Sequence, residues 1–434
     1  MPTRSQYALM SKKDKNTVIF VSFVSAVIFF DFLIYLYIAD IVSAAIFPAN
    51  NDPTVAKLQG MGLFVIGYLA RPFGGILFGR YGDLKGRKPT FFLSIIVTAG
   101  SLLAMACLPT YAQWGALAPA LFILLRIIQG MAFGLYTPLS WVFVAEHVPR
   151  QYLSVACSYV TASFLVGVLF SNAFFLWLTD FMTTVQLTDY GWRLPFFVGA
   201  LLTCLPLLVW RLVKETPFFL ALDKPKTGKN LGRPFTVLFK RCKHSIFVSM
   251  VLTIVISSIT SVIVLLLPEL IEINFTLDSD LFSFSHSLGI VFMVLGCVFY
   301  GMISTHENFG KILVIGSVLL IAQTLAFFYH LQAGGDYILI MYALLGFCAG
   351  IMGMIPAILV QLFPTNVRLT GISFCYNITY GIVGVLIPFG LGYATTLISF
   401  SPALYIAFVG SIGIIMGLYF YNLPEFKKID HVIL

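Results

Sequence analysis

From residue 17 to residue 422 the chain alternates long apolar runs with short polar breaks. Each run holds about eighteen or more mostly apolar residues, enough to cross roughly 30 Å of hydrocarbon as a helix. The pattern predicts twelve spans, at 17–38, 57–80, 91–109, 117–143, 152–178, 193–213, 245–268, 281–304, 312–330, 336–361, 370–396 and 402–422. The first run has no small-residue cleavage site behind it, so it reads as an ordinary helix rather than a removed signal peptide. One long polar segment, 214–244, breaks the series and holds Pro225, Gly228, Gly232 and Pro234 among its lysines. The expected layout is therefore an N-terminal segment 1–16, a six-helix bundle 17–213, a linker 214–244, a second six-helix bundle 245–422 and a tail 423–434.

The two halves share punctuation. GRYGDLKGRK follows the second span from Gly79, and GMISTHENFGK follows the eighth from Gly301; Pro149 and Arg150 follow the fourth, and Pro364 and Arg368 the tenth. Both echoes are offset by about 220 residues, which indicates a duplicated six-helix unit. Composition agrees: 59% of the 434 residues are hydrophobic and only 10% are charged, too few to cover a water-exposed surface.

The net charge of +8 suggests nucleic acid until the basic residues are placed. Arg4, Lys12, Lys13 and Lys15 precede the first span, and Arg80, Lys85, Arg87 and Lys88 follow the second. Lys214, Lys224, Lys226, Lys229, Arg233, Lys240, Arg241 and Lys243 fill the linker, while Lys427 and Lys428 lie in the tail. With twelve spans all of these share one side, and the opposite loops are neutral or acidic, as at Glu269, Glu272, Asp278 and Asp280. Both termini are then expected in the cytoplasm. No nucleic-acid partner is expected, and an odd number of spans would scramble the pattern.

GRYGDLKGRK, Gly79 to Lys88, closely resembles the loop signature of the major facilitator superfamily, glycine-x-x-x-aspartate-x-x-glycine-arginine-lysine. Its glycines allow a tight turn and close helix approach, and Asp83 can accept from a basic group or a helix N-terminus in the other half. FFDF at Phe29 to Phe32, ARPFGG at Ala70 to Gly75, GWRLPFF at Gly191 to Phe197, KETPFF at Lys214 to Phe219 and LFPTNVRLTGISFCYN at Leu362 to Asn377 are similar to the metabolite:proton symporter branch, which includes proline and betaine, citrate and 2-oxoglutarate carriers. The resemblance implies an all-α membrane fold of two six-helix bundles in a bacterial inner membrane. It implies gating roles for Gly79, Asp83, Gly86, Arg87, Lys88, Arg150 and Arg368. It departs from the branch at Ile28, Tyr136 and Gln361, where many members carry acids.

Charges kept inside hydrocarbon cost at least about 2.5 kcal/mol each and usually face a cavity or a partner. Asp31, Arg71 and Arg126 are such charges, with Asp31 and Arg126 at similar depth. Arg126 heads RIIQGMAFG, which resembles the superfamily's fourth-helix motif, whose arginine is tied to proton coupling. Asp31 and Arg126 are thus the expected proton-coupling pair. Two arginines against one acid make the cavity positive on balance, and arginine suits carboxylates, so an organic anion is the favoured cargo. The candidate substrate residues are Arg71, Arg126, Tyr35, Gln129, Tyr136, Gln361, Tyr376, Asn377 and Tyr380, with Trp141 nearby in sequence.

Several chemistries find no support. Cys107, Cys157, Cys204, Cys242, Cys297, Cys348 and Cys375 have no paired spacing and read as reduced packing residues. His286 is expected to satisfy a neighbouring polar group, and His244, His306, His330 and His431 lack metal-ligand spacing. No HExxH, GxSxG or Walker-type run is present, so neither an enzyme nor a cofactor or metal is expected. The reading that results is a monomeric, proton-coupled importer of a small organic acid such as citrate or a dicarboxylate. The alternatives are a proline- or betaine-type zwitterion symporter, and an exporter of a metabolite or citrate-based siderophore.

Overall fold

The computed structural model describes residues 10–48, 53–222, 234–274, 279–305, 308–334 and 336–422. Arg4, Lys224, Lys226, Lys229, Arg233, Asp278, His306, Lys427, Lys428 and His431 lie outside the described residues. The described chain is helical throughout, with no strand. The membrane helices are α1 (Lys12–Ile46), α2 (Pro53–Lys85), α3 (Arg87–Ala106), α4 (Leu117–Ala145), α5 (Leu153–Phe181) and α6 (Arg193–Leu208) in the first half. The second half contributes α7 (Lys243–Ile259), α8 (Ser279–Ile303), α9 (Phe309–Gln332), α10 (Ile338–Ala349), α11 (Arg368–Leu397) and α12 (Ser401–Asn422).

Most helices overrun the apolar runs that predict them, because polar residues at the ends add turns beyond the hydrocarbon. In α1 this extension is capped: Asp14 N–H donates to Ser11 Oγ at 3.1 Å, and Ser11 N–H returns to Asp14 Oδ2 at 3.3 Å. Large apolar side chains such as Leu208, Phe73, Phe389 and Phe408 are exposed on the outer faces, which a bilayer accepts and water does not.

Eleven of the described segments are long and apolar enough to cross a bilayer by themselves. The sixth span differs from its expected 193–213. It is a broken pair, Thr184–Gly191 and Arg193–Leu208, bent by 50°. Arg193 holds the bend, donating to Asp189 O at 3.0 Å and to Leu108 O at 3.0 Å while its guanidinium lies 4.3 Å from the Trp192 ring centre. The helix ends at Leu208, with Pro206 in its last turn.

Two more spans change geometry midway. α7 runs into a π-turn, Thr260–Leu266, and α10 tightens to a 3-10 turn, Gly350–Met354, before Ile355–Gln361 resumes the α-helix. Within the first half α2 packs on α4, α1 on α5, and α3 on both α4 and α6. Within the second, α9 packs on α12, α8 on α10, and α7 on α11. The halves meet along two main seams, α2 against α11 and α5 against α8, and the central site lies beside the first.

Candidate functional site

Arg71 sits at the centre of the molecule. Its guanidinium carbon lies 4.9 Å from the ring centre of Tyr68, 4.9 Å from Phe133, 5.5 Å from Tyr376 and 4.6 Å from Tyr380. The residue is 1% exposed, so it does not snorkel to an interface, and its Nε and Nη2 have no hydrogen-bond partner. Four aromatic faces offset part of the cost of burying the charge.

These groups line a cavity of ≈ 30 Å³, walled by Phe29, Phe32, Trp141 and Phe164 from the first half and by Ile256, Thr260 and Met352 from the second. That is room for one or two waters rather than for an organic solute. Arg71 is the one charged side chain among the lining residues. Two of the neutral polar pairs on the wall are engaged with each other: Tyr380 OH donates to Thr260 Oγ1 at 3.0 Å, and Trp141 Nε1 to Thr161 Oγ1 at 3.1 Å. The unpartnered charged donors belong to Arg71.

Asp31 and Arg126 do not form the ion pair that their depth suggested. Equal depth does not fix which way a side chain points around its helix. Asp31, fully buried, turns toward α6, where Thr203 Oγ1 donates to its Oδ2 at 2.5 Å and its Oδ1 has no partner. α6 passes so close there that a side chain at Gly199 would collide with Oδ1. Arg126 turns the other way. Its Nη1 donates to Gln129 Oε1 at 2.6 Å, its guanidinium lies 3.7 Å from the Tyr35 ring centre, and its Nε and Nη2 are unpartnered. Gln129 links the two at long range, donating to the Asp31 carbonyl at 3.5 Å.

The expected substrate residues therefore divide. Arg71, Tyr376 and Tyr380 line the cavity, as does Trp141. Arg126, Gln129 and Tyr35 form the neighbouring cluster, with Tyr35 OH donating to Gly60 O at 3.1 Å. Tyr136, Gln361 and Asn377 are turned elsewhere, because a polar side chain in an apolar helix can be satisfied by any nearby carbonyl. Tyr136 OH donates to Val21 O at 3.2 Å and lies 3.0 Å from Ser25 Oγ. Gln361 bonds the Ala357 carbonyl at 2.8 Å. Asn377 reaches across the seam to Gly134 O at 2.7 Å. His286 meets Tyr342 OH at 2.8 Å. No group of three or more possible metal ligands occurs among the described residues.

At the end of the molecule that bears GRYGDLKGRK, charged side chains close the seam. Asp83 caps the start of α11, accepting from Leu369 N–H at 3.2 Å, Thr370 N–H at 2.8 Å and Thr370 Oγ1 at 2.6 Å. Arg87 pairs with Asp83 at 3.0 Å and donates to the Thr365 carbonyl at 2.7 Å. Glu146 is shared by Arg87 at 3.3 Å, Arg368 at 2.8 Å and the Thr216 hydroxyl at 2.6 Å. Glu215 accepts the backbone N–H of Arg87 and Lys88, both at 3.1 Å. Gly79 faces Ser373 where α2 and α11 touch, and Gly86 holds φ 118°, a left-handed turn that glycine allows. Lys88 Nζ lies 4.8 Å from the Trp210 ring centre in its own half. Arg150 is exposed at the head of a 3-10 turn. Beside Glu146, burial pushes the pKa of His147 below its usual value.

Spacing alone points to Asp83 and Arg87. Glu146, Glu215, Thr216, Thr365 and Thr370 escape it, as do Thr203 beside Asp31 and Tyr68 and Phe133 around Arg71.

The pattern defining the Major Facilitator Superfamily matches residues 17–388. The chain belongs to that superfamily. It is 32% identical over 387 residues to the inner membrane metabolite transport protein YhjE of Escherichia coli K12, covering 84% of each chain. It is 26% identical over 413 residues to a putative proline/betaine transporter of Staphylococcus aureus, covering 94% of this chain and 88% of the relative. In fold it resembles the proton:xylose symporter XylE bound to 6-bromo-6-deoxy-D-glucose, with a TM-score of 0.78 and 16% identity over 94% of this chain and 95% of that one. As a member of the superfamily the chain is a multi-pass membrane transporter of small metabolites, not an enzyme.

Proposed function

We propose that the protein is a proton-coupled symporter that imports a small organic carboxylate by alternating access, working as a single chain in a bacterial inner membrane with both termini in the cytoplasm. One observation carries the cargo class: the Arg71 guanidinium, with Nε and Nη2 unpartnered, faces the central cavity as its one charged lining group. A carboxylate is the partner those donors lack. The cavity also tempers the expectation of citrate, since further carboxylates would be left against phenylalanine and tyrosine rings. A cargo with one recognised carboxylate and an apolar or cationic remainder fits better. The zwitterion reading gains from the same rings, which suit a quaternary ammonium, and from the proline/betaine names of the relatives.

In this scheme the two bundles hinge about the central cavity, and the Asp83, Arg87, Glu146 and Arg368 network is the cytoplasmic gate, shut here. Asp31 takes up the coupling proton in its niche against Thr203, and Arg126 responds to its charge. Uptake by proteoliposomes of a labelled panel, with and without an inward proton gradient, tests the reading. Gradient-driven accumulation is expected for a monocarboxylate or for betaine, with citrate poor; a panel in which only carboxylate-free solutes accumulate would overturn it. Asp31→Asn is expected to abolish accumulation above equilibrium while leaving exchange of labelled for unlabelled cargo intact. Equal gradient-driven uptake by the variant and the unaltered chain would remove Asp31 from the mechanism.

A further inference from the structure

The box around Arg71 is built from both halves: Tyr68 on α2 and Phe133 on α4 from one, Tyr376 and Tyr380 on α11 from the other. Such a box binds organic cations through the ring faces, quaternary ammonium groups included. Here it is already full. The guanidinium inside carries a charge with no carboxylate near it, since the ion pairs among the described residues join only Arg87 or Arg368 to Asp83 or Glu146. The space left beside it is only ≈ 30 Å³.

We propose that the box is a latent onium-binding site which the protein's own Arg71 occupies when the carrier is empty, making Arg71 a selectivity residue that keeps out cations lacking a carboxylate. A simple onium ion must displace one cation from the rings by another and remain beside the one it displaced, so it gains nothing and meets like charge. A zwitterion is different. Its carboxylate pairs with Nε and Nη2 and draws the guanidinium off the rings, and its cationic end takes the vacated place. A neutral-bodied carboxylate can draw the guanidinium out equally well but leaves the rings to an apolar group. The inference rests on the reading of this cavity as the cargo site.

Choline is the probe, because it has the ammonium and no carboxylate. Binding is measured by titration calorimetry on the full chain in lipid nanodiscs. The unaltered chain is expected to show no measurable choline binding, Arg71→Ala to bind it at least about tenfold more tightly than the unaltered chain, and Arg71→Ala combined with Tyr380→Leu to lose the gain. Arg71→Gln serves where the alanine variant is not monodisperse. A second measurement needs no variant: the near-ultraviolet circular dichroism of the buried tyrosines should change with trimethylglycine and not with choline at the same concentration. Equal responses to both, or folded Arg71 variants that gain no choline binding, would overturn the proposal. Carboxylate uptake by the unaltered chain is read separately, so a failed choline gain beside intact carboxylate uptake refutes the self-occupied box and leaves the transport reading standing.

Discussion

Glu146→Gln should open the proposed gate at the GRYGDLKGRK end of the molecule. Glu146 is the carboxylate shared by Arg87 and Arg368, at 3.3 and 2.8 Å, and neither its own side chain nor that of Arg87 is exposed. Removing its charge leaves two guanidinium groups facing each other, with Asp83 and Glu215 beside Arg87 as the remaining anions. Deleting one partner of a buried pair costs about 3–5 kcal/mol. Arg368 lies in the other half of the chain, so only the closed conformation bears that cost; about 3 kcal/mol already shifts a two-state ratio more than about 100-fold. The readout is a cysteine placed at Ser373, buried where α11 meets Gly79, in a background without the native cysteines. Its labelling by an impermeant maleimide from the cytoplasmic face should rise at least about tenfold in Glu146→Gln. Lys88→Gln is the control, because the Lys88 side chain lies over Trp210 within its own half, and its labelling should not change. A folded Glu146→Gln variant labelled at the unaltered rate would show that the shared carboxylate does not hold the gate.

How much of this was visible in the chain of letters follows from the range of each interaction. The spans were legible because an apolar run long enough to cross a bilayer identifies itself without reference to neighbours. The sixth span was not, since its bend depends on Arg193 reaching the carbonyl of Leu108, in the loop just past the end of α3. Asp83 and Arg87 were legible as an i,i+4 pair in a recognisable loop. Glu146 was not, because its partners Arg87 and Arg368 stand far from it in sequence and nothing local marks it. Depth along a helix could be counted, and it placed Asp31 and Arg126 at one level. Azimuth could not, and it is azimuth that turns Asp31 to Thr203 and Arg126 to Tyr35. Likewise, polar letters within spans did not separate Tyr380, on the cavity, from Tyr136, satisfied by Val21.

The same division between level and direction sets the two arginines in different surroundings, and under the proposed scheme their variants should behave differently. Arg71→Gln removes the one charge on the cavity wall and keeps a polar side chain of similar length. Losing one side of a buried charge-paired contact costs about 2–5 kcal/mol, so carboxylate uptake at low concentration should fall at least about 30-fold. The loss should appear with and without a proton gradient, because cargo recognition itself fails. Arg126→Gln alters a side chain that bonds Gln129 and stacks on Tyr35 outside the cavity lining. It should leave exchange of labelled for unlabelled carboxylate within about threefold of the unaltered rate while abolishing gradient-driven accumulation, the same split expected of Asp31→Asn. Proteoliposomes measured in both modes distinguish the cases. If Arg126→Gln loses exchange and Arg71→Gln keeps it, the cargo carboxylate binds at Arg126, and the aromatic box around Arg71 serves the closing of the halves rather than the choice of what they carry.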